Sequence, residues 1–428
     1  MPVWSRLVIR PTMHGTNARG GELLKGGRRF GPKPGMLTRI ISPGARKILN
    51  KIDGGLKTGT LIGHLPDGST VTLGGHAPGF ECEVTVHDWR ALMRLALGGS
   101  VGWYEAWAAG EWSSPDPVPL FALFMANTTG LGDIARAKGP WRLAAKAFHS
   151  LRANTPARAE RNIHAHYDLG NDFYAAWLDP TMSYSSAIDM QATAALEDSQ
   201  VAKWHRLSER VGDPDTVLEI GCGWGALSAY FAEKGCDVTA ISLSDEQLEW
   251  ARERYPDVQF RKQDYRAVRG RFDAIVSVEM VEALGREYWP DFMDCLARNL
   301  NPGGCAALQF ITIREDVFDA YAASADFIQA YVFPGGMLIC ASEFRRLAEE
   351  RGLLWKDQED FGLDYAETLR AWRENFDRAV AEDRLPAGFD RGFCDLWRYY
   401  LQYCEGGFRG GGIDVSQVTL IKPLGGKG

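Results

Sequence analysis

The eight cysteines of this 428-residue sequence are scattered, and no two are spaced C-x-x-C. That argues against a structural zinc site or a disulfide framework. No uninterrupted apolar stretch reaches the roughly 18 residues of a spanning helix. The N-terminus lacks the apolar core and small-residue cleavage site of a secretory signal, so the expectation is a cytoplasmic protein. No recognised nucleic-acid module appears. Histidine is missing from the second half. All eight (His14, His64, His76, His87, His149, His164, His166, His205) come before residue 206. A proton acceptor further on must be a carboxylate, a tyrosine, a thiol or a bound ion.

What is present is long enough for two domains. Hydrophobic content of 45% and charged content of 24% are those of an ordinary globular chain. The net charge of −7 is unevenly spread. Residues 1–60 hold twelve Lys and Arg against Glu22 and Asp53, a net +10, which leaves −17 for the remainder. A basic arm on an acidic body suggests an anionic partner, a phospholipid surface or a nucleic acid. A solubilising tail explains residues 1–35 equally well. A second basic stretch, 131–165, sets seven basic residues against Asp133 and Glu160. Its Trp141, Ala144, Phe148 and Leu151 recur on one helical face, as in helices lying on anionic membranes. A helix packed on the next domain would read the same way.

The densest motif is Glu219-Ile-Gly-Cys-Gly-Trp-Gly225. Val217–Ile220 predicts a buried parallel strand. Gly221 permits a sharp turn and Gly223 a close ligand approach. Ala226–Lys234 predicts a helix ending at Gly235. The spacing E-x-G-x-G-x-G is not the dinucleotide fingerprint G-x-G-x-x-G. A phosphate-binding turn has little use for a carboxylate at Glu219; a cationic cofactor without phosphate has. The pattern resembles motif I of the S-adenosylmethionine-dependent methyltransferases. A plain glycine turn explains less, because strand, turn, helix and next strand all fall in register.

Further strands are predicted at Val238–Ser242, Val258–Lys262, Phe272–Val278 and Ala306–Ile313, with a helix at Tyr288–Asn299. Alternation of this kind gives an α/β, doubly wound, mostly parallel sheet. Ligands gather at the carboxyl ends of such strands, where Gly221, Ser242, Asp264 and Glu282 lie. Upstream, Ala45–Ile52 and Trp89–Leu97 predict helices, Leu61–Leu73 and Phe80–Val86 strands, and Pro119–Ala126 an apolar helix. A helix is expected from Asn171 to Asp179.

Several motifs in one order then become specific: Tyr167-Asp-Leu-Gly-Asn-Asp-Phe-Tyr174, Met182–Ala187, the glycine turn, Gln263-Asp-Tyr-Arg266, Ser277-Val-Glu-Met-Val-Glu282, Tyr331-Val-Phe-Pro-Gly-Gly336 and Cys404-Glu-Gly-Gly-Phe-Arg409. Over roughly residues 85–422 the chain resembles the cyclopropane-fatty-acyl-phospholipid synthases, including the mycolic acid cyclopropane synthases. The resemblance implies a Rossmann-like methyltransferase domain at 166–428 and a small N-terminal α+β lipid-binding domain at 36–130. A basic arm (1–35) and a helical linker (131–165) complete the chain. It implies a cytoplasmic enzyme held peripherally at the inner face of the membrane, with a homodimer as one arrangement. The activity implied is transfer of a methyl or methylene group from S-adenosylmethionine to the double bond of a phospholipid acyl chain, closing a cyclopropane ring.

Carried over by position, Tyr184, Ser185, Glu219, Gly221, Cys222, Gly223, Gly225, Ser242, Gln247, Asp264 and Tyr265 would hold the cofactor. Helix capping is the alternative for Ser242 and Gln247. Family members hold a bicarbonate ion as base, through a glutamate, a histidine, a tyrosine and backbone groups. Glu282 and Tyr365 match the first and third. Ser186 replaces a family cysteine at a position that acts through its backbone. Gln309 replaces the family histidine; it can donate an N–H but cannot carry a proton. Cys404 matches a cysteine assigned to catalysis, although a buried inert thiol is the commoner state. No metal is implied.

The Gln309 change opens a second outcome, a methyl- or methylene-branched chain formed by loss of a different proton. Two other readings are a small-amine methyltransferase and a catalytically silent lipid-binding protein. The N-terminal domain argues against the first; Glu282 and Tyr365 argue against the second.

Overall fold

The computed structural model describes residues 38–132, 169–190, 195–324 and 326–424. The arm 1–35 and nearly all of the basic linker, with its Trp141 and Phe148 face, lie outside the described residues.

The amino-terminal part runs α1 (Thr38–Gly55), β1 (Thr60–His64), β2 (Thr70–Gly74), β3 (Glu81–Val86), α2 (Arg90–Ala108), β4 (Trp112–Ser113), α3 (Val118–Ala126) and the single turn α4 (Thr128–Leu131). Its four strands are ordered β2-β1-β3-β4. The single strand expected over Leu61–Leu73 is a hairpin, with β1 antiparallel to β2. Asp67-Gly68 makes the turn. Gly68 has φ +82, and an Asp67 carboxylate oxygen accepts the Ser69 N–H at 3.1 Å. Asp-Gly between two β runs is a strong hairpin signal. Helix α2 continues past Leu97 because Gly99 (φ 60, ψ −139) kinks it and a second apolar half follows. There Trp103 stacks on Trp112, with ring centroids 4.3 Å apart. These aromatics are core.

The larger part runs α5 (Asn171–Ala175), α6 (Leu196–Val211), β5 (Thr216–Ile220), α7 (Ala226–Glu233), β6 (Asp237–Ser242), α8 (Asp245–Arg254), β7 (Gln259–Lys262), β8 (Phe272–Val278), α9 (Trp289–Asn299) and β9 (Leu300–Ile313). It continues with α10 (Glu315–Ala322), α11 (Phe327–Tyr331), α12 (Ala341–Glu349), β10 (Leu354–Asp360), α13 (Gly362–Ala381), α14 (Arg391–Arg409) and β11 (Ile413–Ile421). The sheet order is β10-β11-β9-β8-β5-β6-β7. Strands β9, β8, β5, β6 and β7 pair in parallel, and β11 runs antiparallel between β9 and β10. The five predicted strands are therefore present, in a mostly parallel doubly wound sheet. Helix α5 is shorter than expected, and β10 and β11 were not foreseen.

The chain lays β6 and β7 on one side of β5, then returns to place β8 on the other. Such a reversal opens a crevice beyond the carboxyl ends of the two central strands. Gly221 follows β5 there and Glu279 follows β8. The amino-terminal helices close this crevice from one side. Tyr104 of α2 and Phe121 of α3 pack on Tyr399 of α14 with centroids 5.0 and 5.2 Å apart. Helix α14 approaches α3 at Gly406, where a Cβ would lie 2.4 Å from Phe121 Cβ. One apolar cluster runs through both parts.

Candidate active site

The crevice holds a cavity of about 500 Å³. One side is the glycine turn with Ser242, Gln247 and Asp264. The other is apolar and is lined by Leu95, Trp103, Phe121 and Phe124 from the amino-terminal helices together with Phe333 and Phe408. Both sides border one space.

The turn after β5 is built on left-handed backbone: Gly221, Gly223 and Gly225 have φ of +85, +52 and +88. A Cβ on Gly221 would lie 2.6 Å from Met280 Cγ, and one on Gly225 would lie 2.7 Å from the Phe260 ring. A Cβ on Gly223 would meet nothing within 4 Å. Gly221 and Gly225 are thus required by packing, while Gly223 keeps backbone bare toward the cavity. This cradle fits a cofactor lying against the chain. Glu219 is buried, and its carboxylate accepts the Ser228 hydroxyl at the start of α7. Burial pushes its carboxyl up to about 7, opposed by that hydrogen bond and by the charge of Lys203. Cys222 is buried beside it, and burial raises its thiol well above the ordinary value.

The capping alternative at the end of β6 resolves in favour of Ser244. Its hydroxyl takes the Gln247 N–H at 3.3 Å and caps α8. Ser242 instead accepts the Ser244 N–H at 3.2 Å and faces the Gln247 side chain. Both Ser242 and Gln247 border the cavity. Asp264 caps the short turn after β7 and pairs with Arg266. Tyr265 borders the cavity, but its ring is core, 5.7 Å from that of Phe292. Tyr184 meets the Tyr400 hydroxyl at 2.9 Å. Ser185 is fixed by α6: Gln200 donates to its carbonyl at 3.0 Å, and Lys203 Nζ donates to its hydroxyl at 2.6 Å. Lys203 is itself buried, and burial pulls its ammonium down to about 8.

The remaining expected residues converge on a group the sequence reading passed over. Glu279 stands directly after β8 at φ +48, a region costly for a residue with a Cβ. One carboxylate oxygen accepts the Ser186 N–H at 2.9 Å and Gln309 Nε2 at 2.7 Å. The other accepts the Tyr365 hydroxyl at 2.6 Å. The Gln309 amide is held in this sense. Its oxygen accepts Gln417 Nε2 at 2.9 Å, and the Gln417 oxygen accepts Arg206 Nε at 2.9 Å. Arginine only donates, so the chain of amides is polarised toward Glu279. Burial raises the Glu279 carboxyl, opposed by the Tyr365 hydrogen bond, the charge of Lys203, and the Gln309 and Ser186 donors.

Glu282 sits in the turn Val281–Ala283 beyond β8. One of its oxygens accepts the Ile311 N–H; the other is buried with no partner among the described residues. Burial, and then the nearby charge of Glu279, push its carboxyl up to about 8. The two neighbouring carboxyls have unlike surroundings: Glu279 accepts three donors, which favour its ionised form, whereas Glu282 accepts one and leaves its other oxygen without a partner among the described residues. Cys404 borders the cavity, and burial raises its thiol far above the ordinary range.

The Mycolic acid cyclopropane synthetase family model matches residues 154–418. The chain is 37% identical to the tuberculostearic acid methyltransferase UfaA1 of Mycobacterium tuberculosis, covering 77% of this chain and 80% of that one. It is 32% identical to the cyclopropane-fatty-acyl-phospholipid synthase of Escherichia coli, covering 82% and 90%. Among solved structures it is similar to the mycolic acid cyclopropane synthase CmaA1 complexed with SAH and CTAB. The TM-score there is 0.57 at 27% identity, over 61% of this chain and 98% of that one. The glycine cradle and the sheet that carries it agree with these likenesses: the chain belongs to the mycolic acid cyclopropane synthetase family, as an S-adenosylmethionine-dependent methyltransferase of the cyclopropane-fatty-acyl-phospholipid synthase type.

Proposed function

We propose that the enzyme methylates the double bond of an unsaturated acyl chain in a membrane phospholipid and closes a cyclopropane ring there. The observation that carries this is the shared cavity. Glycine backbone borders one side, and an apolar wall from the amino-terminal helices borders the other. An alkyl chain gains from burial there at about 25 cal/mol per Å², whereas a small amine leaves that wall without use. When bound, S-adenosylmethionine supplies an electrophilic methyl group. The turn Gly221–Gly225, Glu219, Ser242, Gln247 and Asp264 would hold it. Tyr184, Tyr365 and Tyr400 present aromatic surface to positive charge developing on the chain.

Domain roles follow the same reading. The amino-terminal sheet and helices form the lipid-binding part, and the basic arm and linker draw the enzyme to an anionic membrane face. Among the described residues no helix is long and apolar enough to cross a membrane. A second outcome, a methyl-branched chain without a ring, is favoured by Gln309, which replaces the histidine the resemblance leads one to expect. The test is gas chromatography with mass analysis of fatty acids from cells with and without the protein, before and after catalytic hydrogenation. Chains heavier by one methylene support the methyl transfer. A product that takes up hydrogen under mild alkene-reducing conditions assigns the branched, unsaturated outcome; one that does not assigns the ring. Unchanged fatty acids would overturn the proposal.

A further inference from the structure

The sequence resemblance implies a bound bicarbonate as the base, and the residues that would hold it can be tested against the structure. They do not leave it a place. The three donors available to such an anion are the Ser186 N–H, the Gln309 amide and the Tyr365 hydroxyl, and all three are spent on Glu279. A second anion beside that carboxylate would meet like charge in a poorly hydrated site.

We propose that Glu279 is the built-in proton acceptor of this enzyme, a protein carboxylate taking the place of an exchangeable anion. The proposal rests on the reading that an acyl double bond is methylated here. Four observations support it. Glu279 borders the cavity together with Gly221, and its neighbour Met280 packs against the Gly221 turn, which sets the carboxylate beside the cofactor cradle. Its backbone is held at φ +48, where glycine is comfortable and glutamate is strained. Its donors come from three distant parts of the chain, and one of them is polarised by the Arg206–Gln417–Gln309 relay. Three donors favour the ionised form of Glu279, whereas neighbouring Glu282 has one donor and one oxygen without a partner among the described residues.

The proton balance is simple. The methyl–sulfur bond of bound S-adenosylmethionine would break with its electron pair left on S-adenosylhomocysteine, while the π pair of the double bond forms the new C–C bond and leaves one chain carbon cationic. A C–H bond then breaks, on the newly added methyl for the ring or beside the cationic carbon for the branched outcome. Its electron pair closes the ring, or forms a new double bond in the branched outcome, and the proton passes to a Glu279 carboxylate oxygen. The acid so formed releases its proton to water after the products leave. Either outcome uses one base once.

The test uses the whole protein with vesicles of an unsaturated phospholipid and methyl-labelled S-adenosylmethionine. Turnover of the wild type in carbon-dioxide-free buffer should equal turnover with added bicarbonate. Glu279→Gln should lose about 10²–10⁴-fold in turnover, the usual worth of general base catalysis. Its affinity for S-adenosylhomocysteine by calorimetry, and its melting temperature, should stay close to the wild type's. Glu279→Gly relieves the backbone strain and empties the anion position, so bicarbonate or formate should restore part of its turnover. Infrared difference spectra between acid and alkaline samples should lose one buried carboxyl band in Glu279→Gln. Wild-type turnover that falls on bicarbonate removal, or a Glu279→Gln enzyme that retains most of its turnover, would overturn the proposal while leaving methyl transfer standing. Absence of label in wild-type lipid would sink the underlying reading, and this proposal with it.

Discussion

Replacing Gly223 with alanine separates what the glycine turn does for folding from what it does for the cofactor. Gly223 has φ +52, and a Cβ there meets nothing within 4 Å. The only cost to the free protein is the left-handed backbone, about 1–2 kcal/mol. Gly223 borders the cavity, so the new methyl group takes up room beside the cofactor cradle. Overpacking of one methyl costs about 1–3 kcal/mol, which is roughly a 5- to 150-fold loss of affinity at about 1.4 kcal/mol per tenfold. Gly221→Ala provides the contrast. Its Cβ would lie 2.6 Å from Met280 Cγ and 2.8 Å from Met280 Cβ, at φ +85. Strain and overpacking then both fall on the free protein, about 2–5 kcal/mol together. Calorimetry with S-adenosylhomocysteine and urea denaturation of the two variants give both quantities. Gly223→Ala should be a nearly normal fold with weakened binding, and Gly221→Ala a damaged fold. Wild-type affinity in Gly223→Ala would refute the placing of the cofactor against that backbone.

Gln309→Leu removes a hydrogen bond to ionised Glu279, worth about 1.5–3 kcal/mol. Losing that donor disfavours the carboxylate, so the Glu279 carboxyl is pushed up further. A base must be unprotonated, so the acid limb of the pH–rate profile should move to higher pH; an unmoved limb would contradict the link. Glu282 has a folded carboxyl raised from 4.5 to about 8. The unfolded chain therefore releases this proton first, and the protein should lose stability as pH rises across that window. Glu282→Gln should flatten the loss in melting temperature, and a slope equal to wild type's would argue against a neutral buried Glu282. Gly406→Ala brings a Cβ to 2.4 Å from Phe121 Cβ and 2.8 Å from the Val118 carbonyl. Overpacking of about 1–3 kcal/mol outweighs the helix-propensity gain of about 0.5–1 kcal/mol. Denaturation should show a net loss, and a gain would place α14 further from α3.

The glycine turn and the five parallel strands were legible because their signals are local: an apolar run, a turn residue, a helical period. Strand β10 was not. It is an edge strand reading Leu-Trp-Lys-Asp-Gln-Glu-Asp with only Trp355 buried, so no alternation marks it. Strand β11 buries Ser416, Gln417 and Thr419 among its apolar residues, and each has a polar partner on a distant element: Asp360, Gln309 and Arg210. Partners that only the fold brings together broke the apolar pattern there. Glu279 was hidden for a different reason. In Glu279-Met-Val-Glu282 either carboxylate could face the site, and the choice depends on donors at 186, 309 and 365, which only the fold assembles. The signal that was available is a carboxylate at the first position after an apolar parallel strand.

The central claim is that a methyl group passes from the cofactor to carbon within an acyl chain. The most direct measurement feeds methyl-labelled methionine to cells expressing the protein, then saponifies the lipids and separates fatty acids from head groups. The account predicts label in the fatty acid fraction, on chains one methylene heavier than their unsaturated precursors. Label confined to head groups or small amines, or no label above that of cells without the protein, would contradict it.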